Sequence, residues 1–269
     1  MNQSADTNAI YYDWPALIGR LFQLLRLKTT PIGIKLFEKK EQLASIDRIR
    51  MARDTLTACQ IIGQAARLNR TVGATLASLN PGTCGVVLGF SPRDDEWLSG
   101  KSNVGVWFET IEDSAAHQRV LPGVPYGRFE ALAASPLSAN RLAEPDVCLI
   151  YATPGQMILF ICGLQWSGYE KLDWSVSGES ACGDSWGRAL STRKPSLAIP
   201  CFPERRYGGV TDEELLMALP PAYLVKALDG MEQLSRNGFR YPIPPYGVQV
   251  DCRKGMQKPG AASFPPVRQ

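Results

Sequence analysis

Two short segments concentrate most of the reactive side chains of this chain. Gly178-Glu179-Ser180-Ala181-Cys182-Gly183-Asp184-Ser185 and Pro200-Cys201-Phe202-Pro203-Glu204-Arg205-Arg206-Tyr207-Gly208-Gly209 place thiols, carboxylates, two arginines and several glycines close together. Cys182 stands near the start of a predicted helix, where backbone amide dipoles favour the thiolate, the nucleophilic form of cysteine. Cys182, Cys201, Glu179 and Glu204 are therefore the expected catalytic set, the two carboxyls serving as proton carriers if burial raises their pKa. Arg205 and Arg206 can grip a carboxylate or phosphate through forked hydrogen bonds. Asp184, Ser185, Gly208 and Tyr241 complete the expected substrate-binding set, the glycine by allowing close approach and the tyrosine as an aromatic wall. The same residues also admit plain structural uses: Glu204 can pair with an arginine, and Glu179 and Asp184 can cap the helix they precede.

Composition narrows the chemistry. There is one histidine, His117, so motifs with two histidines on a helix are excluded. His117 falls in the least regular stretch and is expected at the surface. Neither a Gly-x-Gly-x-x-Gly nor a Walker loop occurs, which disfavours a dinucleotide or ATP site of the usual kind. The net charge of +3 is spread along the chain without a basic tract, so nucleic acid is not an expected partner. No run reaches the roughly 18 uncharged apolar residues of a membrane span, and Met1 to Asp13 lacks the pattern of an export signal; a cytoplasmic location without a membrane partner is expected. Seven scattered cysteines with no Cys-x-x-Cys pair indicate reduced thiols instead of a disulfide framework.

The elements that must position these residues alternate between helix and strand. Trp14 to Leu27 has helical apolar spacing, with Asp13 as cap and Pro15 in the first turn. Pro31 to Glu38 alternates like a strand, and Thr55 to Leu68 returns to helical spacing. Strands are predicted near Thr71 to Ala77, Arg128 to Ser135, Asp146 to Ala152 and Pro195 to Pro200, and a short apolar element from Cys84 to Phe90. Helices are predicted near Glu112 to Gln118, from Thr153 to Trp166, over Glu179 to Ser191, over Thr211 to Ala218 with a Thr211 and Glu214 capping box, and over Ala222 to Asn237. Arg240 to Gly247 is expected to be an extended arm that packs or reaches a second subunit, so a homo-oligomer is considered. The pattern is α/β or α+β: a mixed sheet with packed helices in a single compact unit over 1–255, followed by a flexible tail over 256–269.

Leu27-Lys28-Thr29-Thr30-Pro31-Ile32-Gly33-Ile34-Lys35, Cys59-Gln60, Cys84 before Leu88-Gly89-Phe90, Gly178 to Cys182, Pro200-Cys201 with Arg205-Arg206, and Arg240-Tyr241-Pro242 together resemble the prokaryotic DUF169 family. The likeness runs from about Leu17 to Asp251. It brings no reaction with it, because that family is uncharacterised. It does imply that Cys59, Cys84, Cys182 and Cys201 are motif positions, whereas Cys148, Cys162 and Cys252 are incidental.

Three readings stay open. The first is an enzyme acting on a small anionic metabolite, bearing carboxylate or phosphate, through the Cys, Glu and Arg residues. The second is a redox protein in which Cys59, Cys84, Cys182 and Cys201 bind an iron-sulfur cluster or another thiolate-held metal. The third is a small-ligand-binding module without turnover.

Overall fold

A computed structural model describes residues 12–243 of the chain. Cys252, the 256–269 tail and the extended arm beyond Ile243 lie outside the described residues. Seven strands are present: β1 (Ile32–Phe37), β2 (Arg50–Met51), β3 (Val72–Thr75), β4 (Ala131–Pro136), β5 (Val147–Ala152), β6 (Ser196–Ala198) and β7 (Leu215–Leu219). They form one open sheet in the order β2-β3-β4-β1-β5-β7-β6, antiparallel throughout except between β2 and β3. The helices are α1 (Trp14–Leu25), α2 (Ala58–Leu68), α3 (Thr83–Val87), α4 (Asp95–Leu98), α5 (Ile111–Val120), α6 (Pro154–Trp166), α7 (Arg188–Thr192), α8 (Phe202–Gly208) and α9 (Pro221–Arg236). The architecture is α+β, a mixed sheet with helices on both faces.

The central strands are apolar on both sides because both sides are covered. In β5, Val147, Leu149 and Tyr151 enter one core while Cys148, Ile150 and Ala152 enter the other. α1, α6 and α9 cover the second face. α1 starts where the Asp13 side chain accepts from the Ala16 amide at 3.2 Å, and it buries Trp14, Leu17, Ile18, Leu21 and Leu25, one stripe at helical spacing. α6 and α9 meet through glycines: a β-carbon at Gly163 would lie 2.5 Å from the Ala227 carbonyl oxygen, and one at Gly230 only 2.0 Å from that of Gly163. The first face is covered by α2, α3, α7 and α8. There the chain over 181–192 is continuously helical, with a π-helical turn over Gly183–Gly187 that runs into α7.

Two expectations need correction. Thr211 to Ala218 is not a helix; Leu215–Leu219 forms β7, with Leu216 and Ala218 in one core and Met217 and Leu219 in the other. A run buried on both faces satisfies a strand as well as a helix, and the gap between β5 and β6 decides it. The Thr211 and Glu214 capping signal survives as a turn, with Glu214 Oε2 accepting from the Thr211 amide at 2.9 Å. The strand expected over Arg128 to Ser135 begins later, at Ala131; Glu130 just before it donates its amide to the Phe37 carbonyl at 2.9 Å and pairs through its side chain with Lys39 at 2.7 Å. Among the described residues no helix is long and apolar enough to cross a membrane.

The glycine contact between α6 and α9 yields a paired prediction. Gly163→Ala must push the two helices apart and is expected to destabilise by about 1–3 kcal/mol. Gly19→Ala, in α1 with nothing within 4 Å of the added carbon, is expected to stabilise by about 0.5–1 kcal/mol. Urea unfolding of both variants checks this, and equal midpoints would contradict the close-packed helix pair.

Candidate functional site: a cavity lined by four cysteines

Cys59, Cys84, Cys182 and Cys201 line one cavity of about 180 Å³. Each stands in or at the first turn of a different helical segment. Thr57 caps α2, its hydroxyl accepting from the Gln60 amide at 3.2 Å while Gln60 Oε1 accepts from the Thr57 amide at 2.9 Å, and this sets Cys59 at the second helical position. Asn80-Pro81-Gly82 turns the chain into α3, Asn80 Oδ1 accepting from the Gly82 amide at 3.0 Å, so that Cys84 is again the second residue of its helix. Cys182 opens the helical stretch over 181–192, and Cys201 is the N-cap of α8. Backbone amides at helix starts are partly positive, and four such ends converge on these sulfurs.

The cavity is held closed from behind by backbone packing without intervening side chains. A β-carbon at Gly63 of α2 would stand 2.6 Å from the Gly208 carbonyl oxygen of α8, and one at Gly208 would stand 3.1 Å from that of Cys59. Gly208, expected among substrate-binding residues, thus serves the α2 and α8 crossing.

Cys59 Sγ and Cys84 Sγ are 3.9 Å apart. Cys59, Cys182 and Cys201 are buried and Cys84 is half-buried. Hydrogen bonding from Cys182 and then Cys59 holds the Cys84 thiol below the usual range, while the same interactions and burial hold Cys59 and Cys182 above it. Burial pushes Cys201 up to about 12. The Glu204 carboxyl is 1% exposed and burial raises its pKa to about 8. It turns back towards the Cys201 backbone and the Trp186 indole, which temper that rise, yet neither closes a hydrogen bond of normal geometry; both Glu204 oxygens and Trp186 Nε1 are left without one. Glu179 also lines the cavity, its pKa raised by burial, with the Ser180 hydroxyl donating to Oε2.

The remaining predicted residues are elsewhere. Arg205 lies along the backbone, Nε donating to the Pro200 carbonyl at 3.1 Å and Nη1 to that of Thr211, with Asp212 at 3.4 Å. Arg206 is exposed. Asp184 ties the preceding loop to the π turn by accepting from the Ser177 amide at 2.6 Å and the Ser177 hydroxyl at 2.8 Å, and Ser185 donates to the Ala181 carbonyl at 2.6 Å. Tyr241 packs on the opposite face of the sheet with α1, α6 and α9. His117, expected at the surface, is buried: Nε2 lies 3.2 Å from the Glu179 carbonyl oxygen, and Phe108 covers the ring. The reason is that α5 turns this side inward against the 178–180 loop. Trp186 and Gly63 were missed; only the dense glycine and cysteine spacing of their segments marks them out.

The lining contains sulfur, carboxylate and hydroxyl groups and no lysine or arginine. Among the described residues no three His, Cys, Asp or Glu side chains are arranged to hold a single metal ion.

Fold and site define a class: an α+β protein with a four-cysteine cavity on one face of its sheet, open to solvent past Asn80, Gly82 and Tyr207. The chain belongs to the DUF169 family, described as uncharacterised ArCR, which matches residues 20–230. It is also similar to an uncharacterised protein of Methanocaldococcus jannaschii, 23% identical over 221 residues, covering 79% of this chain and 91% of that protein. No solved structure matches the chain significantly.

Burial of Glu204 makes stability pH-dependent. Its folded pKa, about 8, stands above the ordinary 4.5, so across that interval the folded chain keeps a proton that the unfolded chain has released. Stability is therefore full below the lower value and falls as pH rises through the higher one, at up to about 1.4 kcal/mol per pH unit. Urea unfolding of reduced, chelator-treated protein at about pH 5 and about pH 9 is expected to show this loss in the wild type and a much smaller one in Glu204→Gln. The same loss in both would assign it to another group.

Proposed function

We propose that the four-cysteine cavity is a metal-thiolate redox centre, with Cys59, Cys84, Cys182 and Cys201 as ligands to an iron-sulfur cluster. The observation that carries this reading is that four thiols, each at the start of a different helical segment, line a single small cavity that no cation lines. Thiolates gathered in a buried space repel one another unless positive charge joins them, and soft metal is the partner that thiolate prefers. The volume of about 180 Å³ falls below the roughly 300–1,000 Å³ of sites for ordinary metabolites.

When bound, the group supplies one-electron chemistry. The protein's own part is to hold the sulfurs, to aim helix-start amides at them, and to exclude water on the side of Trp186 and Glu204. Amides directed at sulfur stabilise the more reduced, more negative state of such a centre. Neither Arg205 nor Arg206, expected to grip an anion, lines this cavity, which is why a metal centre is preferred over an anionic substrate here.

A second reading has its own observation, the 3.9 Å separation of Cys59 and Cys84 with the Cys84 thiol held acidic. Such a pair can exchange with a small disulfide: Cys84 sulfur attacks, Cys59 sulfur closes the protein disulfide, and the incoming disulfide leaves as two thiols.

Anaerobic purification followed by iron, sulfide and visible-absorbance analysis separates the two. Near-stoichiometric iron and sulfide are expected, with Cys84→Ala and Cys182→Ala each losing most of both while keeping a folded circular-dichroism spectrum. Protein that stays metal-free after anaerobic reconstitution, with Cys84 rapidly alkylated, would overturn the cluster and favour the thiol pair.

A further inference from the structure

A second cleft, of about 960 Å³, opens where β1, the 123–129 loop and the end of α7 meet, and it shares no lining residue with the cysteine cavity. Its size is that of a site for a metabolite. Asp146 lines it half-buried, with Oδ2 accepting from the Leu36 amide at 2.7 Å. Burial raises the Asp146 pKa, and the charges of Lys35, Arg193 and Arg128 all act against that rise, so three cations face one carboxylate.

None of the three closes an ion pair with it. Lys35 donates to the Glu144 carbonyl at 2.7 Å, and Arg128 faces Glu38 at 3.4 Å. Among the described residues Arg193 has neither an ion pair nor a side-chain hydrogen bond. Opposite charges that face one another without touching leave each with unused hydrogen-bonding capacity. Phe37 and Phe129 add apolar wall to the same cleft. A ligand that fits has an anionic group for the guanidinium groups, a hydrogen-bond donor for Asp146 and a ring or chain for the phenylalanines.

We propose that this cleft is a binding site, separate from the thiols, for a small metabolite that carries a phosphate or carboxylate together with hydrogen-bond donors. It joins the elements that bear two of the cysteines. The Val124 amide donates to the Val87 carbonyl at 3.0 Å on α3, the helix of Cys84. Leu190, Ser191 and Arg193 stand at the far end of the helical stretch that begins beside Cys182. Occupancy of the cleft therefore touches two of the supports of the cysteine cavity, but binding itself needs no metal.

The test is calorimetric titration of the full chain with AMP, pyrophosphate and citrate, in the wild type, Arg193→Glu, Asp146→Asn and Cys84→Ala. AMP or citrate is expected to bind with a dissociation constant below about 1 mM, the better of the two identifying phosphate or carboxylate as the anion. Arg193→Glu, a change at an exposed position, is expected to weaken that binding at least about tenfold while keeping the wild-type circular-dichroism spectrum, and Asp146→Asn to weaken AMP more than pyrophosphate, which lacks the amino and ribose hydroxyl donors of AMP. Cys84→Ala is expected to bind as the wild type does, so failure of the metal centre leaves this result unaffected. If no probe binds below about 1 mM, or if Arg193→Glu binds as well as the wild type, the proposal is wrong.

Discussion

The approach of α8 to α2 without side chains between them is the constraint on which the cysteine cavity depends. With hydrogen at Gly63 and Gly208, the two backbones come close enough for a β-carbon at Gly63 to meet the Gly208 carbonyl at 2.6 Å. That approach seats the last turn of α8 on the first turns of α2, where a β-carbon at Gly208 would stand 3.1 Å from the Cys59 carbonyl oxygen, and so fixes how α8, which starts after Cys201, lies beside Cys59. Glycine weakens a helix interior by up to about 1 kcal/mol, so Gly63, in the middle of α2, is explained by the contact and not by local preference. A second pair of close approaches extends the arrangement: a β-carbon at Gly187 would meet Val87 at 2.5 Å and one at Gly183 would meet Leu121 at 2.9 Å, which seats the π turn against α3 and brings Cys182 to Cys84.

The electrostatics of the cavity follow from that packing. Helix starts supply amides, which favour negative sulfur; burial of Glu204 and Glu179 opposes negative carboxylate. The two effects sort the charge. Negative charge is easiest to place on Cys84, which accepts hydrogen bonds from Cys182 and Cys59, and hardest to place on Glu204, whose oxygens find no donor of normal geometry. A buried carboxyl kept neutral near the one thiol held acidic, Cys84, avoids placing a second anion next to that sulfur, where it would only add repulsion.

Much of this was legible in the residues, and the failures share a cause. The alternation of β1, the apolar run of β5, and the Asp13, Thr153 and Gly238 signals of α1, α6 and α9 are local, so spacing alone located those elements. The four motif cysteines were marked out by a family resemblance, but nothing local said that Cys59 and Cys201 would face the same space: that depends on Gly63 and Gly208, residues far apart in the chain. Thr211 to Ala218 read as helix because Thr211 and Glu214 carry a capping signal, and only the neighbours β5 and β6 make Leu215–Leu219 a strand. Arg205 and Arg206 were placed in the site because they follow Cys201 and Glu204, yet successive positions on a helix point in different directions, and α8 turns Glu204 inward and Arg206 outward.

Ser180 shows how the loop before Cys182 is held to its task. Its φ of +67° is left-handed, a conformation that non-glycine residues adopt at a penalty of about 1–3 kcal/mol, and Gly178 two residues earlier has φ +83°. These turns reverse the chain into the helix that carries Cys182, and the Gly183 amide then donates to the Ser180 carbonyl at 2.8 Å. Glycine at position 180 would relieve the backbone, but it would also remove the hydroxyl that donates to Glu179. Serine therefore fits a position where the backbone must bend and the adjoining carboxyl must be fixed, with His117 at the Glu179 carbonyl completing the support. The loop's shape is set by what it holds towards the cavity as well as by the turn it makes, so the strain and the polar contacts serve the same placement of Cys182.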